Sequence, residues 1–346
     1  MASPFLDEEP VAIDALIIRR AFQVGKKLRD RQDPLAYPES LLLQRYRFSR
    51  DGIIHICNLL APHIECPTRR NRALTTTQTV CIALRFFASG RFLYTVGDAE
   101  NLVKSSVSRS IRKVYLALKT FLSVYIVFPK HSPRVQGIKD AFLAIAGFPD
   151  VLGALDCAHF HIKAPSGPGA GAFLNRKGSH SLNVQMVCDA SCVITNVETK
   201  WPGSIHDSNA FRKSELYQEL DQGQHDGVLV GDGAYACTQF LMTPFLNPDP
   251  GPQTQYNAAL AKTRAPIDIT IGQLKERFQC LKMLRVAPDR AQDIVAACTV
   301  LHNIATMRKE RAPDIVVQSD DNLEPLHTDL PHDAAGREHI VNQYFS

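Results

Sequence analysis

Three aspartates stand in the sequence where apolar core residues are expected. Asp156 interrupts the apolar stretch VLGALDCAHFHIKAP, Asp232 closes the stretch GVLVGD, and Asp268 stands between two isoleucines. A buried carboxylate costs free energy unless it is paired with a cation or bound to a metal. The three acids are therefore candidate ligands of one cation site.

The chemistry of such a site follows from its charge. Carboxylates within about 4 Å of each other repel by about 4 kcal/mol per pair at an effective dielectric constant of about 20, and a divalent cation reverses that repulsion. Two ions about 4 Å apart can activate a water molecule and stabilise the leaving 3′ oxygen of a phosphodiester. Phosphoryl transfer needs little else, since it is mostly positioning and charge neutralisation.

Two of these acids also have a structural interpretation. Asp232 precedes a glycine, and this pair is typical of a turn. Asp268 falls in the first turn of the helix predicted over APIDITIGQLKERF, residues 265–278. Pro266 is tolerated in a first turn, and an acid there complements the helix dipole. Both interpretations remain open from the residues alone.

A zinc site is a further alternative on the first predicted strand. Cys157, His159 and His161 alternate on one face, opposite Asp156, and both residue types are good zinc ligands. Residues two and four positions apart on one strand face are too widely spaced to share an ion easily. The sequence therefore favours a carboxylate site over a zinc site.

The first third of the chain has the apolar spacing of helices, from residue 41 to 128. Ser49 is predicted to cap the helix RDGIIHICNLLAP, which Pro62 is expected to end. The helix in TTTQTVCIALRFFASG is predicted to begin at the threonines and to end at Gly90.

Two further helices, in FLYTVGDAENL and SSVSRSIRKVYLALKTFL, flank a short turn at 103–104, and the second is predicted to have a serine cap. This is the outline of a helix-turn-helix DNA-binding motif, with Arg109, Arg112 and Lys113 opposite an apolar face. That apolar face consists of Val107, Ile111, Val114 and Leu118. An ordinary helical hairpin in a bundle fits the same pattern.

After residue 150 the pattern changes to strands. VLGALDCAHFHIKAP predicts one strand, SLNVQMVCDASCVITNVETKWPG two strands around a turn at 189–191, and GVLVGD a short one. GPGAGAF is expected to be a flexible loop. A helix near Pro266 and another in AQDIVAACTVLHNIATMRKER follow. Sequential strands with helices after them predict an α/β or α+β domain.

Charge is unevenly distributed along the 346 residues. Residues 1–130 hold 20 Lys and Arg against 11 Asp and Glu, whereas residues 313–346 hold one basic and seven acidic residues. A basic first third is typical of a surface for a polyanion, although such charges can also simply solvate helix faces. The acidic tail is predicted to be disordered.

Composition narrows the class of protein further. Nine cysteines without a CxxC pair favour a reducing compartment over a disulfide framework. No stretch approaches the roughly 18 apolar residues of a membrane span, and MASPFLDEEP is acidic where a signal peptide would be basic. These features predict an intracellular protein that does not associate with membranes.

Five sequence blocks resemble those of a known family. LDCAH, NRKGSHSLN, WPGSIHDSNAF, LVGDGAY and LHNIA occur in the order found in the Harbinger transposases and the nucleases derived from them. The resemblance covers most of residues 40–310. It implies a ribonuclease H-like domain, a mixed sheet flanked by helices, with a carboxylate triad that binds Mg²⁺ or Mn²⁺.

The resemblance also implies roles for single residues. Asp156 and Asp232 match the first two catalytic acids and metal ligands of the family, and Asp268 falls where the family pattern has glutamate. Asp207 of GSIHDS matches a further acidic position and is an additional candidate ligand. Because aspartate is one methylene shorter, and a displacement of about 1 Å can cost about 100-fold in rate, this departure concerns activity rather than fold or metal binding.

The block NRKGSH contributes candidate DNA contacts. Asn175, Arg176 and Lys177 are predicted to bind backbone phosphates, with a solvated loop as the alternative. The family resemblance also implies a separate Myb-like DNA-binding partner.

Three segments are therefore predicted: a helical DNA-binding region over 1–130, a ribonuclease H-like nuclease domain over 131–312 and a disordered tail over 313–346. The predicted function is metal-dependent cleavage or strand transfer on DNA in the nucleus and cytoplasm, by a chain that could form homo-oligomers. The alternative is a DNA-binding or partner-binding module that cuts nothing.

Overall fold

A computed structural model describes residues 33–65, 73–91, 93–99, 102–130, 132–315 and 334–345 of the chain. The fold is a mixed α/β arrangement of one five-stranded sheet and surrounding helices. Among the described residues up to 146, the α-helices are α1 (Glu39–Tyr46), α2 (Arg50–Ile64), α3 (Thr76–Ser89), α4 (Leu93–Ala99), α5 (Lys104–Lys119), α6 (Leu122–Tyr125) and α7 (Ser132–Ala146). The sequence patterns did not predict α7.

The strands are β1 (Val151–His161), β2 (Ser181–Cys188), β3 (Ile194–Pro202), β4 (Val228–Val230) and β5 (Leu241–Met242). The later helices are α8 (Asp207–Arg212), α9 (Glu215–Asp221), α10 (Pro252–Arg277), α11 (Pro288–Met307) and α12 (Ala334–Tyr344). Within the described residues, no helix is both long and apolar enough to cross a bilayer. A two-residue strand such as β5 is too short to leave a sequence pattern.

The predicted start of α2 is confirmed and its predicted end is wrong. The Ser49 side chain accepts a hydrogen bond from the Gly52 backbone N–H and caps the helix. Pro62 lies inside α2, which continues to Ile64. A proline so close to a helix end removes only one backbone hydrogen bond, and the packing of the buried Leu60 and Ile64 holds the last turn in place.

Both ends of α3 agree with the sequence prediction. Thr75 and Gln78 form a reciprocal capping box, and Gly90 ends the helix with a φ of 59°. A side chain at Gly90 would also meet the backbone of Cys280 at 3.0 Å. Glycine is therefore required there both by the left-handed backbone and by the contact with the last third of the chain.

The apolar face of α5 is buried as predicted, but its cap is not a serine. Val107, Ile111, Val114 and Leu118 are all buried. The residue before the helix is Val103, whose side chain makes no capping hydrogen bond. The helix starts two residues earlier than expected because buried Val107, on its apolar face, packs below the first turn.

The sheet has the strand order β3-β2-β1-β4-β5. β1 pairs antiparallel with β2, and β2 pairs antiparallel with β3, while β4 runs parallel to β1 and β5 parallel to β4. Ala154 of β1 is opposite Val230 of β4. Asp156 stands two residues further along β1, and Asp232 stands two residues past Val230, just after β4 ends, so the register brings these two acids to a similar level of the sheet.

The helix that carries Asp268 is much longer than predicted. It spans 26 residues from Pro252 to Arg277, with Pro266 in its interior. The prediction that Asp268 is a first-turn acid is wrong, because the helix begins 16 residues before it. Buried residues upstream of the proline, including Tyr256 and Leu260, extend the packed face and outweigh the one backbone hydrogen bond that the proline removes.

Two segments predicted to lack regular structure contain short helices. Pro168–Phe173, in the loop GPGAGAF, forms a 3-10 helix after Gly167, whose φ is 102°. The tail contains α12, in which Val341 is buried and Arg337 lies 3.8 Å from the Phe245 ring centroid. These apolar and cation–π contacts order a segment whose composition alone indicates disorder. Residues 316–333 of the predicted tail lie outside the described residues.

Candidate metal centre

One arginine connects two of the three predicted acids. Nη2 of Arg264 donates to Oδ2 of Asp156 at 2.9 Å and to Oδ1 of Asp268 at 3.0 Å. Asp156 lies on β1 and Asp268 in the middle of α10, 112 positions later in the chain, so this contact fixes α10 against the sheet. The sequence interpretation missed Arg264, although its spacing of four residues from Asp268 is that of a helical ion pair.

Asp232 follows β4 and is itself largely buried. Its Oδ1 accepts the backbone N–H of Ala234 at 3.1 Å, as a turn residue would. Burial and the negative charge of Asp156 raise the pKa of Asp232 to about 6, against the opposing effect of Arg264. Asp232 is therefore both a turn residue and a carboxylate whose negative charge is unfavourable in its surroundings, so the structural and the metal-ligand interpretations of Asp232 are compatible.

Asp207 begins α8 and lies close to the same acids. The Asn183 side-chain amide on β2 donates to its Oδ1 at 2.6 Å. Burial raises the pKa of Asp207 to about 6, and the charges of Asp156 and Asp232 contribute to the rise. The sum of these effects shows that Asp207 shares an electrostatic environment with the other two carboxylates.

Asp268 and Arg264 compensate each other only partly. Burial raises the pKa of Asp268, and Arg264 opposes that rise. Burial alone would lower the pKa of Arg264, but Asp156, Asp268 and Asp232 together raise it well above its ordinary value. Three carboxylates therefore act on one guanidinium, which leaves an excess of negative charge.

The donor chemistry of this group suits a hard divalent cation, since carboxylate oxygens are the ligands that Mg²⁺ and Mn²⁺ prefer. Asp156, Asp207, Asp232 and Asp268 are the residues that would hold such an ion. Within the described ranges, no three acidic, histidine or cysteine side chains already stand in a common ligand geometry. Convergence of the predicted ligands on a single ion therefore stays a prediction.

The residues of the zinc alternative have other surroundings. Nδ1 of His159 lies 2.9 Å from the Ser181 hydroxyl. Burial lowers the pKa of His159 to about 4, and the positive charges of Lys275, Arg176 and Lys177 add to that effect. Burial and the neighbouring Asp207 raise the pKa of the Cys157 thiol. A protonated thiol is a poor zinc ligand, so the structure does not favour zinc here.

The residues of the block NRKGSH that were predicted to contact phosphates have two different roles. Asn175 is buried, its amide donates to the Ser181 hydroxyl at 3.1 Å, and its side-chain oxygen accepts the Ser179 backbone N–H at 3.0 Å. It therefore holds the loop through its own polar atoms, and its role as a DNA contact stays a prediction. Arg176 and Lys177 are exposed, and their charge reaches His159 at the end of β1.

The predicted basic residues of α5 are also not equivalent. Arg109 and Arg112 are exposed. Lys113 is half-buried and donates to the carbonyl oxygen of Ile64 at 2.7 Å, which ties α5 to the end of α2. The structure thus leaves the two arginines, rather than all three residues, on the solvent face of this helix.

Comparison with known proteins identifies the family. A family model described as DDE superfamily endonuclease matches residues 155–303, the segment from β1 to α11. The protein named "Putative nuclease HARBI1" from Homo sapiens is 38% identical over 272 residues, which cover 77% of this chain and 78% of that protein. The chain belongs to the Harbinger family of transposase-derived nucleases.

Other members of the Harbinger family match over similar lengths. The Xenopus laevis protein of the same name is 36% identical over 293 residues, covering 83% of each chain. The Arabidopsis thaliana protein named "Protein ALP1-like" is 24% identical over 292 residues, covering 78% of this chain and 71% of that protein. No solved structure matches the chain significantly.

The Harbinger-like block LHNIA has a structural explanation. Asn303 on α11 accepts the backbone N–H of Ile194 and donates to the carbonyl oxygens of Ile194 and Tyr125, at 2.7–2.9 Å. Nε2 of His302 lies 2.9 Å from the carbonyl oxygen of Cys192, and burial lowers the pKa of this histidine to about 4. Asn303 fastens the start of β3 to α11, and His302 fastens the turn before β3 to the same helix.

Proposed function

We propose that this chain is a divalent-metal-dependent nuclease that acts on DNA phosphodiester bonds. Its catalytic carboxylates would be Asp156, Asp232 and Asp268, with Asp207 as a further metal ligand. The observation that carries the proposal is the shared electrostatic environment of four half-buried carboxylates, in which burial and the neighbouring acids raise the pKa of Asp207 and of Asp232 to about 6. Such a concentration of negative charge is costly for a fold and useful to a cation site.

The protein residues have separate tasks in this mechanism. Bound Mg²⁺ or Mn²⁺ would supply the activated water and neutralise the leaving oxygen. The Asn183 amide and the Ala234 backbone N–H hold the carboxylates of Asp207 and Asp232 in fixed orientations. Asp268 is held by α10, a long packed helix that limits its displacement. These contacts preorganise the oxygens before substrate binds.

The fold proposed for residues 131–312 is ribonuclease H-like. Support comes from the strand order β3-β2-β1-β4-β5, with three antiparallel strands followed by two parallel ones. The acids stand on the central β1, after the adjacent β4 and on the helix packed beside them. In sheets of this kind, functional groups gather where the parallel strands end.

A plasmid-nicking assay tests the activity directly. Purified protein with Mg²⁺ or Mn²⁺ should convert supercoiled DNA to the open circular form, and chelation of the metal should stop it. Asp156→Asn should lower the rate by about 10³-fold, because several kcal/mol of charge stabilisation are lost. Asp289→Asn, which changes an exposed acid on α11, is the matched control and should leave the rate unchanged. Metal-independent nicking, or equal rates for both variants, would exclude the proposed site.

The alternative function is a DNA-binding or partner-binding module without turnover. The ion pair between Arg264 and Asp268 favours it, because a carboxylate held by a guanidinium can serve structure alone. In that case no variant nicks DNA, and only binding can be measured.

We propose that residues 1–130 form a helix-turn-helix-like DNA-binding region that precedes the nuclease domain. Support comes from their excess of basic residues and from the exposed Arg109 and Arg112 on α5. Replacing both arginines with alanine should lower the slope of log affinity against log salt by about 0.9 for each lost phosphate contact. Lys104→Ala, an exposed residue at the start of the same helix, measures whether the effect is specific. An unchanged slope would move the DNA surface to Arg176 and Lys177.

The remaining proposals concern partners and location. A Myb-like DNA-binding partner is what the family resemblance implies, and residence in nucleus and cytoplasm is a separate proposal; co-purification from nuclear and cytoplasmic extracts tests both. A homo-oligomer is also proposed, and light scattering of the purified chain tests it.

A further inference from the structure

Arg264 occupies the position between two predicted metal ligands. A single nitrogen, Nη2, contacts one oxygen of Asp156 and one oxygen of Asp268, at 2.9 and 3.0 Å. The second nitrogen, Nη1, is 3.4 Å from the other oxygen of Asp268. The guanidinium thus places a positive charge against two of the carboxylates that would hold a divalent cation.

The site around Arg264 is largely closed to water. The side chains of Arg264 and Asp156 are 20% and 15% exposed, and that of Asp268 is 35% exposed. Charges in such surroundings interact more strongly than at a surface, so a neighbouring +1 charge repels an incoming divalent ion. An ion that binds the same two oxygens must therefore displace the guanidinium or tolerate it at close range.

Arg264 has one hydrogen-bond donor that remains without an acceptor in the described part of the chain. Its Nε is buried and has no hydrogen-bond partner among the residues that the structure describes. A buried donor without a partner costs free energy, which favours a second arrangement in which every N–H of the guanidinium has an acceptor. A phosphodiester offers that arrangement, because its two oxygens match a guanidinium in a bidentate manner.

We propose that Arg264 is a positioning residue that acts as a counter-cation. It holds Asp156 and Asp268 in the absence of DNA. When a nucleic-acid phosphate binds its guanidinium, Arg264 releases the two carboxylates to a divalent ion. This inference rests on the proposed nuclease function. It makes metal binding depend on substrate, since the phosphate removes the competing charge and the metal then meets free carboxylates. The free protein would accordingly bind metal weakly.

Metal binding, not cleavage, is the measurement that tests this proposal. Bound Mn²⁺ is counted by electron paramagnetic resonance for the wild-type chain and for Arg264→Gln, with and without a short DNA duplex. Titrations of the duplex alone are subtracted. Without DNA, Arg264→Gln should bind Mn²⁺ about tenfold more tightly or better, because a repelling charge close to the ion is removed. With DNA, the wild-type chain should gain affinity for Mn²⁺ and the variant should gain much less.

Two further variants make the result specific. Lys262→Gln removes an exposed positive charge from the same helix and should leave the affinity for Mn²⁺ unchanged. Arg264→Lys keeps the charge but not the fork, so we expect an affinity between those of the wild type and Arg264→Gln. If Arg264→Gln does not fold, the lysine variant carries the test, and an affinity equal to that of the wild type overturns the proposal.

The other outcomes are also decisive. Equal or weaker Mn²⁺ binding by Arg264→Gln would mean that the arginine organises the carboxylates instead of competing for them. A wild-type affinity that DNA does not raise would remove the link to the phosphate. Failure of the nuclease proposal appears differently: metal would bind as described here, while the plasmid stays intact.

Discussion

Asn303 and Asp232 are both polar residues in the apolar interior of the molecule, but their surroundings differ. Asn303 meets three backbone groups of two segments at 2.7–2.9 Å, so that its oxygen and its nitrogen are both used. Asp232 accepts one backbone N–H, and burial together with the negative charge of Asp156 raises its pKa to about 6 although Arg264 opposes the rise. One residue is stabilised by its neighbours and the other is destabilised by them.

This difference distinguishes structural from functional polar groups among the sequence blocks that resemble the Harbinger family. LHNIA and LVGDGAY are both among the blocks that resemble the Harbinger family, and the resemblance alone does not say which block is structural and which is functional. A buried group whose hydrogen bonds are all made rigidifies the fold. A buried charge that its surroundings oppose stores free energy that a ligand can release. The comparison predicts that substitutions at the two places act in opposite directions on stability.

The largest expected effect is at Asn303. Asn303→Ala leaves two carbonyl oxygens and one N–H without partners between β3, α6 and α11, so the free energy of unfolding should fall by about 3 kcal/mol. Urea unfolding followed by circular dichroism measures it. Asn58→Ala, at an exposed position of α2, is the control and should change stability by less than about 0.5 kcal/mol. If Asn303→Ala lowers the free energy of unfolding only slightly, Asn303 is not the stabilising structural group that the comparison with Asp232 assumes.

The next effect concerns the third acid. Asp268→Glu should raise metal-dependent nicking by about tenfold, because the longer side chain restores reach at a reacting centre where about 1 Å matters. Asp268→Ala should abolish nicking. Since Asp268 lies in the middle of α10, the stability loss expected of a helix-terminus acid no longer applies. As a control, Asp289→Glu changes an exposed acid on α11 and should have no effect on the nicking rate. If Asp268→Glu also leaves the nicking rate unchanged, Asp268 is an ion-pair partner only.

The smallest effect is a pH dependence with a defined sign. A carboxyl group whose pKa is raised on folding holds its proton more tightly in the folded state, so its contribution to stability is complete at low pH and is lost as the pH rises through the folded pKa. For Asp232 and Asp207 that window runs from about 4 to about 6. Without metal, Asp232→Asn should therefore melt at a higher temperature than the wild type at pH 7.5, and the difference should disappear near pH 4.

The control for this experiment is the exposed acid Asp221. Asp221→Asn should give no pH-dependent difference in melting temperature. Even a weakly bound Mg²⁺, when added in large excess, should stabilise the wild type more than Asp232→Asn, because the ion binds the folded state and replaces the repulsion with attraction. A wild type that is more stable than Asp232→Asn at pH 7.5 without metal would show that Asp232 is satisfied like Asn303.

Much of the secondary structure could be predicted from local patterns. The caps at Ser49 and Thr75, the glycine that ends α3 and the strands β1 to β4 each depend on residues close together in sequence. Local rules failed where packing outweighed them. Pro62 and Pro266 each indicate a helix boundary, yet both lie inside helices whose buried faces continue past the proline.

The chemistry of the site was determined by the sequence, and its balance of charges by the tertiary structure. Asp156, Asp232 and Asp268 are recognisable in the sequence because acids inside apolar stretches are costly wherever those stretches fold. The role of Arg264 depends on the packing of α10 against β1, which brings its guanidinium to a carboxylate 108 residues away. Coulomb interactions act through space, so a partner so distant in the chain becomes visible only when the chain is folded.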